Sequence, residues 1–272
     1  MSVPLKQEAK GEGALVLFTT CVPASWGTSL SALVFEGGPA PALLALVLAS
    51  VGMVGSVTHL ARPLRAPTSL RNLKTSWLSR EIAAVSVFWA FLTLWATGEV
   101  AGSHPASLAG RALAATSGAF LLWVIARAYK VATRPAWTGG ECLVELVACG
   151  LGAGSAAFGA CTSGAAGCPW APGVAAAAAG LALDVLSHRG RRVRLASLSG
   201  DCDERVPLTL GRYDVLWGRV RAAWAVEALA VVVSVVTLWW PAAALQLVAH
   251  GMHRQIFYDL PVQVRYVARL RK

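Results

Sequence analysis

Ionisable side chains occur within or at the edges of long apolar stretches of this sequence, where charge is costly and therefore informative. A charged group at the centre of a membrane span costs at least about 2.5–3.5 kcal/mol. Histidine and carboxylate side chains can exchange protons near neutral pH when burial adjusts them. The set therefore predicts proton transfer at a buried site. Its members are His59, Glu81, Arg127, Glu141, Glu145, Asp184, Glu227, His250, His253 and Arg254.

The elements that position these residues are predicted to be membrane-spanning helices. Of the 272 residues, 56% are hydrophobic and 14% charged, and the mean hydropathy is +0.57. Soluble domains carry about 25% charged residues, so a water-soluble fold and a disordered chain are both excluded. About 20 apolar residues cross a bilayer. We therefore predict one domain, residues 1–272: an all-α integral membrane bundle of eight transmembrane helices. The predicted spans are approximately 13–34, 40–61, 80–102, 108–130, 140–161, 170–188, 217–238 and 240–258.

Basic residues are concentrated in alternate connections. With eight spans, both termini share one face with the basic connections 62–80, 130–134 and 189–212, whereas the other face receives only Arg111. His104 and His188 are expected in connections. Because Lys and Arg favour the cytoplasmic side, the rule predicts cytoplasmic termini. It also accounts for the net charge of +10 without a nucleic-acid partner.

The ionisable set collects in the basic half of the predicted membrane domain. A channel or proton pump needs such groups at several depths, reaching both faces. A cluster that opens to one side instead fits a quinol, whose tail stays in lipid and whose oxidation releases two protons and two electrons. A histidine and a carboxylate are suitable proton acceptors for it.

The six cysteines contain no C-x-x-C pair. We therefore expect no iron–sulfur cluster, haem or other metal site in this chain. Cys161 and Cys168 flank a glycine-rich turn and are either a disulfide or two inert small residues.

Three segments carry a resemblance to a known family. The sequence reads HLARPLRA at 59–66, SLRNL at 69–73 and SWLSREI at 76–82. This resembles the signature of the DmsC family, the membrane-anchor subunits of dimethyl sulfoxide reductase-type molybdoenzymes. Two weaker echoes are RAY with PAW at 127–137 and RQIFY at 254–258. Ala61 stands where the family pattern has Gly.

The resemblance implies a haem-free anchor of eight helices in a prokaryotic cytoplasmic membrane. This anchor would oxidise quinol, expected to be menaquinol, in anaerobic respiration. Its partners would be a four-cluster ferredoxin-like iron–sulfur subunit and a molybdopterin catalytic subunit. His59 and Glu81 take the catalytic positions at the quinol site. The expected supporting residues at that site are Arg127, Tyr129, His250 and Arg254. The expected docking residues are Arg62, Arg65, Arg71 and Lys74.

Other interpretations stay open. A related anchor of a sulfite-oxidising enzyme would reduce quinone instead. A haem b anchor would need paired histidines, such as His59 with His250 or His253. A small-solute transporter would need inverted repeats, and no convincing internal repeat is found. The side that the catalytic subunits face is also open, because many anchors of this family carry exported subunits.

Overall fold

The helices of this protein follow its apolar stretches closely. The computed structural model describes residues 9–58, 70–163, 170–199 and 205–261. All long elements in these ranges are helical, which confirms the all-α prediction. The helices are α1 (Ala9–Phe35), α2 (Pro39–Thr58), α3 (Trp77–Val100), α4 (His104–Ala128), α5 (Glu141–Thr162), α6 (Trp170–Leu198), α7 (Arg205–Val235) and α8 (Trp239–Asp259).

Each predicted span corresponds to one of these helices, but only α1 to α6 are long and apolar enough to cross a membrane by themselves. The apolar half of α7 carries Arg219, Arg221 and Glu227, and α8 carries two histidines and Arg254. Glu227 and the α8 groups are buried. These polar side chains thus face the interior of the protein and not its surface. The eight-span topology remains a prediction.

Helices α6 and α7 extend into the connection predicted at 189–212, because α6 continues to Leu198 and α7 begins at Arg205. Arginine, alanine and leucine are good helix formers, so the loss of hydropathy ends the apolar stretch without ending the helix. The expected connection residue His188 is buried within α6, and His104 is the first residue of α4. At about 1.5 Å per residue, the 29 residues of α6 are longer than the hydrocarbon core.

Helices α1 and α5 form the centre of the bundle. α1 contacts α2, α4, α5 and α8, while α5 contacts α1, α6 and α8. The outward side chains of the surrounding helices are largely apolar, as expected for a surface that faces lipid. Examples are Val47, Val54, Phe120, Leu186, Val232 and Val248.

The contact between α1 and α5 depends on glycine. Gly150–Gly154 forms one turn of π-helix within α5, and a Cβ at Gly27 of α1 would collide with the Gly150 carbonyl oxygen. The two backbones therefore approach more closely than larger residues allow.

We expect Gly27→Ala to destabilise the fold by about 1–3 kcal/mol or more, because neither backbone can move aside without disturbing its neighbours. The measurement is the midpoint of thermal unfolding of the detergent-solubilised protein. Gly218→Ala is the matched control, since a Cβ there meets nothing within 4 Å. Equal midpoints for the two variants would contradict this account of the contact.

Candidate functional site

Glu81 lies early in α3, at the end of the bundle that carries the basic connections. The start of α3 is fixed by Ser76, whose hydroxyl accepts a hydrogen bond from the Ser79 backbone N–H at 3.3 Å. The Glu81 side chain is half-buried and lies within electrostatic range of the Tyr129 hydroxyl at the end of α4. His59 lies outside the described residues, so its predicted pairing with Glu81 remains a prediction.

A series of hydroxyl groups, which we call the hydroxyl chain, links Tyr129 to Arg254. The Tyr129 and Tyr258 hydroxyl oxygens are 2.6 Å apart, and that of Tyr258 is 3.4 Å from Thr19 Oγ1. Arg254 Nε donates to Thr19 Oγ1 at 3.1 Å. The structure thus joins Tyr129 and Arg254, which were predicted from separate segments, in one polar network, and Glu81 lies within electrostatic range of its Tyr129 end.

The two weaker sequence echoes meet in this region. The Trp137 and Phe257 rings stack with centroids 5.1 Å apart, and Trp137 Nε1 donates to the Phe257 carbonyl at 2.9 Å. The guanidinium of Arg254 lies 4.1 Å from the Phe257 ring centroid. Aromatic residues more than a hundred positions apart in the sequence therefore pack together beside the hydroxyl chain.

Glu145 is the centre of a buried ion-pair group between α5, α6 and α8. Arg191 Nη1 lies 2.5 Å from Glu145 Oε1, and Arg254 Nη1 lies 3.4 Å from Oε2. All three side chains are at most 1% exposed. The single carboxylate of Glu145 thus lies between two guanidinium groups and partly compensates their positive charge. Through Arg254 it also connects the hydroxyl chain to α6.

A second buried group, which we call the acid–histidine cluster, contains Asp184 of α6, Glu227 of α7, and His250 and His253 of α8. Asp184 Oδ2 is 3.1 Å from His250 Nδ1 and 3.7 Å from His253 Nε2. Glu227 Oε1 is 3.8 Å from His250 Nε2, and Oε2 is 3.5 Å from His253 Nε2. None of the four residues is more than 1% exposed.

His188 connects this cluster to α7. Its Nε2 lies 2.9 Å from His253 Nδ1, and its Nδ1 lies 2.5 Å from the Tyr213 hydroxyl. The Tyr213 hydroxyl also lies 3.1 Å from the His188 carbonyl oxygen. Tyr213 thereby fixes the His188 ring, and His188 fixes that of His253.

Other predicted site residues lie apart from the hydroxyl chain. His250 belongs to the acid–histidine cluster. Arg127 is exposed, and its guanidinium lies 5.2 Å from the Trp77 ring centroid. Of the predicted docking residues, Arg71 and Lys74 are exposed, while Arg62 and Arg65 lie outside the described residues.

An apolar cavity of about 520 Å³ opens between α3 and α4. Its volume is within the range of small-molecule sites. Trp77 and Ala84 line this cavity. They lie four residues before and three residues after Glu81, and are therefore its neighbours on the helix surface. The other lining residues are Leu73, Arg80, Ala83, Val87, Ser117, Phe120, Trp123 and Val124.

At the opposite end of the bundle, the ionisable groups form local pairs. Arg111 Nη2 donates to Glu36 Oε1 at 2.7 Å, and this hydrogen bond lowers the pKa of Glu36 below its ordinary value. Glu99 accepts a hydrogen bond from Ser107 at 2.5 Å. These residues and His104 line a separate cavity of about 210 Å³.

Sequence reasoning placed the cluster residues in one half of the bundle but missed how they combine. It assigned His188 to a connection, and it based the expectation of no metal site on the spacing of the cysteines. One ligand atom from each of Asp184, Glu227 and His250 lies within 4.8 Å of the others. The available signal was the presence of ionisable residues inside three predicted spans.

Comparison with known proteins bears on the first half of the sequence. Residues 13–163, more than half of the total, match the family model described as DMSO reductase anchor subunit (DmsC). The anaerobic dimethyl sulfoxide reductase chain YnfH of Escherichia coli (strain K12) is 38% identical over 96 residues, 35% of this protein and 34% of the relative. An anaerobic dimethyl sulfoxide reductase subunit of Haemophilus influenzae is 31% identical over 94 residues, 34% of each protein. The alignments thus span about a third of the length of these relatives.

Proposed function

Because the chain belongs to the DmsC family of DMSO reductase anchor subunits, we propose that it anchors a molybdopterin oxidoreductase complex in the membrane and oxidises quinol there. The observation that carries this proposal is the placement of Glu81. It lies at the polar end of a membrane-competent helix, within electrostatic range of the Tyr129 hydroxyl, and its helical neighbours Trp77 and Ala84 line an apolar cavity. A quinol head group needs polar partners of this kind, and its isoprenoid tail needs an apolar route.

Quinol oxidation converts the quinol to the quinone with release of two protons and two electrons. Glu81 and His59 accept the protons, and the Tyr129 and Tyr258 hydroxyls orient the oxygens of the head group. The electrons pass to an iron–sulfur partner subunit, and from there to the molybdopterin subunit that reduces a DMSO-like acceptor. The basic end of the bundle, with both termini, faces the cytoplasm in this proposal.

The test compares two electron donors in membranes that contain the whole complex. A menaquinol analogue should support acceptor reduction only when this anchor is present. A reduced soluble dye should support it without the anchor, because the dye bypasses the membrane site. Purification of the tagged anchor should recover an iron–sulfur and a molybdopterin subunit, identified by mass spectrometry. Purification without either subunit would contradict the proposal.

Docking of the iron–sulfur subunit is assigned to the basic connection before α3. We expect Arg71→Glu combined with Lys74→Glu to lower the fraction of partner retained on membranes, at least tenfold and most strongly at low salt. Exposed charges act chiefly through complementary fields, and salt screens these fields.

The control for docking is Arg189→Glu, which reverses an exposed charge on α6. Retention should then stay close to that of the unmodified complex. Equal losses from the two changes would show an effect of net charge and would reject the assigned surface.

A further inference from the structure

We propose that Asp184, Glu227 and His250, with His253 beside them, bind a divalent first-row transition-metal ion such as Zn²⁺. The four residues lie beyond residues 13–163, which carry the family match. The proposal uses neither Glu81 nor the hydroxyl chain, so it does not depend on quinol oxidation, and it assigns a role to the C-terminal helices.

The spacing of the ligand atoms carries the proposal. Zinc bonds to imidazole nitrogen and carboxylate oxygen are about 2.0–2.2 Å long, so tetrahedral ligand atoms lie roughly 3.4 Å apart. Asp184 Oδ2 lies 3.1 Å from His250 Nδ1 and 3.7 Å from His253 Nε2. Glu227 Oε2 lies 3.5 Å from His253 Nε2. One ligand atom from each of Asp184, Glu227 and His250 lies within 4.8 Å of the others, so binding of an ion draws these side chains closer together.

Hydrogen bonds within the cluster do not explain the arrangement. Both oxygens of Asp184, both oxygens of Glu227, and Nε2 of His250 and His253 are buried without a hydrogen-bond partner among the described residues. Only the 3.1 Å separation of Asp184 Oδ2 and His250 Nδ1 lies within the usual hydrogen-bond range of about 2.7–3.2 Å, and the other separations, 3.5–3.8 Å, exceed it. Buried polar atoms normally have partners, so unpartnered atoms on all four residues of one cluster indicate a missing ligand.

Charge compensation leads to the same conclusion. Within the described residues, no Lys or Arg nitrogen lies within 4.0 Å of Asp184 or Glu227, because Arg191 and Arg254 are paired with Glu145. An unpaired buried carboxylate carries a desolvation penalty of several kcal/mol. One divalent cation neutralises both carboxylates, and a mixed imidazole and carboxylate set suits Zn²⁺ and its neighbours.

The surroundings are those of a metal ligand set. His253 Nδ1 contacts His188 Nε2 at 2.9 Å, which leaves Nε2 directed at the two acids. Metal-binding histidines are commonly oriented in this way through the second ring nitrogen. Gly152, in the π-turn of α5, leaves space beside His250, since a Cβ there would lie 2.7 Å from Nε2. The unpartnered amide of Gln246 borders the same space.

The test measures metal directly on the full-length protein purified in detergent without its partners, whose cofactors would add iron and molybdenum. Mass spectrometric metal analysis should find about one equivalent of a divalent transition metal. After removal by chelator, Co²⁺ should bind and give visible d–d bands. Asp184→Asn, Glu227→Gln and His250→Ala should each weaken Co²⁺ binding at least tenfold.

The matched control is Asp259→Asn, which removes an acid of α8 that pairs with Arg219 at 3.1 Å outside the cluster. It should bind Co²⁺ as the unmodified protein does. A metal-free protein that also fails to bind Co²⁺ would overturn the proposal. Intense thiolate-to-cobalt charge transfer would do the same by assigning the ion to cysteines. Both readouts use the unmodified protein and decide the question even where a variant does not fold.

Discussion

Replacement of Glu81 by Gln is expected to reduce quinol-dependent turnover at least about a hundredfold while assembly stays intact. The amide keeps the size of the side chain but cannot accept a proton, and positioned acid–base groups contribute roughly 10²–10⁴-fold to rate. Turnover with a menaquinol analogue is measured on membranes, and the same preparations are assayed with a soluble reduced dye. The dye-driven rate should be unchanged.

Glu99→Gln is the matched control for Glu81, because Glu99 lies in the same helix at the opposite end. This change should leave both rates unaltered. His59→Arg should reproduce the loss caused by Glu81→Gln, since both residues are proposed to accept protons from the same quinol. Unchanged quinol oxidation in both variants would remove these residues from the site.

Replacement of Glu145 by Gln is expected to destabilise the folded protein by about 3–5 kcal/mol. The change leaves Arg191 and Arg254 buried without their common counter-charge, and breaking one side of a buried pair carries a cost of this size. Arg254 also holds Thr19 at 3.1 Å. The effect should therefore spread to the hydroxyl chain beside Glu81. Reversible unfolding in detergent, followed by tryptophan fluorescence, gives the free energy.

Glu141→Gln provides the control for this second effect. Glu141 precedes Glu145 by one helical turn and also pairs with an arginine of α6, with Arg194 Nε 2.7 Å away. That pair is partly exposed, so its loss should cost about 1 kcal/mol or less. A loss for Glu145→Gln no larger than this would show that Arg191 and Arg254 find other partners.

The sequence was sufficient to place the helices but not to determine what their polar residues contact. The positions of α1 to α5 follow from hydropathy and from breakers such as Pro39 and Pro135, because lipid requires long uninterrupted helices. Helices α6 and α7 extend beyond the apolar stretches that predicted their spans, since hydropathy reports where the apolar stretch ends and not where backbone hydrogen bonding ends. Arg191, which was expected in a connection, is for this reason buried within α6.

Contacts between segments that are distant in the sequence could not be predicted from hydropathy, because they depend on how the helices pack. Tyr129 and Arg254 come from separate segments of the sequence, and their common network depends on how α1, α4 and α8 pack. The stacking of Trp137 on Phe257 depends on helix packing in the same way. The acid–histidine cluster was beyond sequence reasoning, because it depends on the rotation of α6, α7 and α8 about their axes, which weak amphipathic patterns do not specify.

The double pairing of Glu145 has a consequence for biosynthesis. Arg191 follows Glu145 by 46 residues and Arg254 by 109. At about 5–20 residues per second, the ribosome delivers these arginines roughly 2–9 s and 5–22 s after the acid. Until then the Glu145 carboxyl group of α5 lacks both of its charge partners. Formation of the Glu145 ion pairs is therefore a late event in folding, and it joins the first half of the newly made protein to the second.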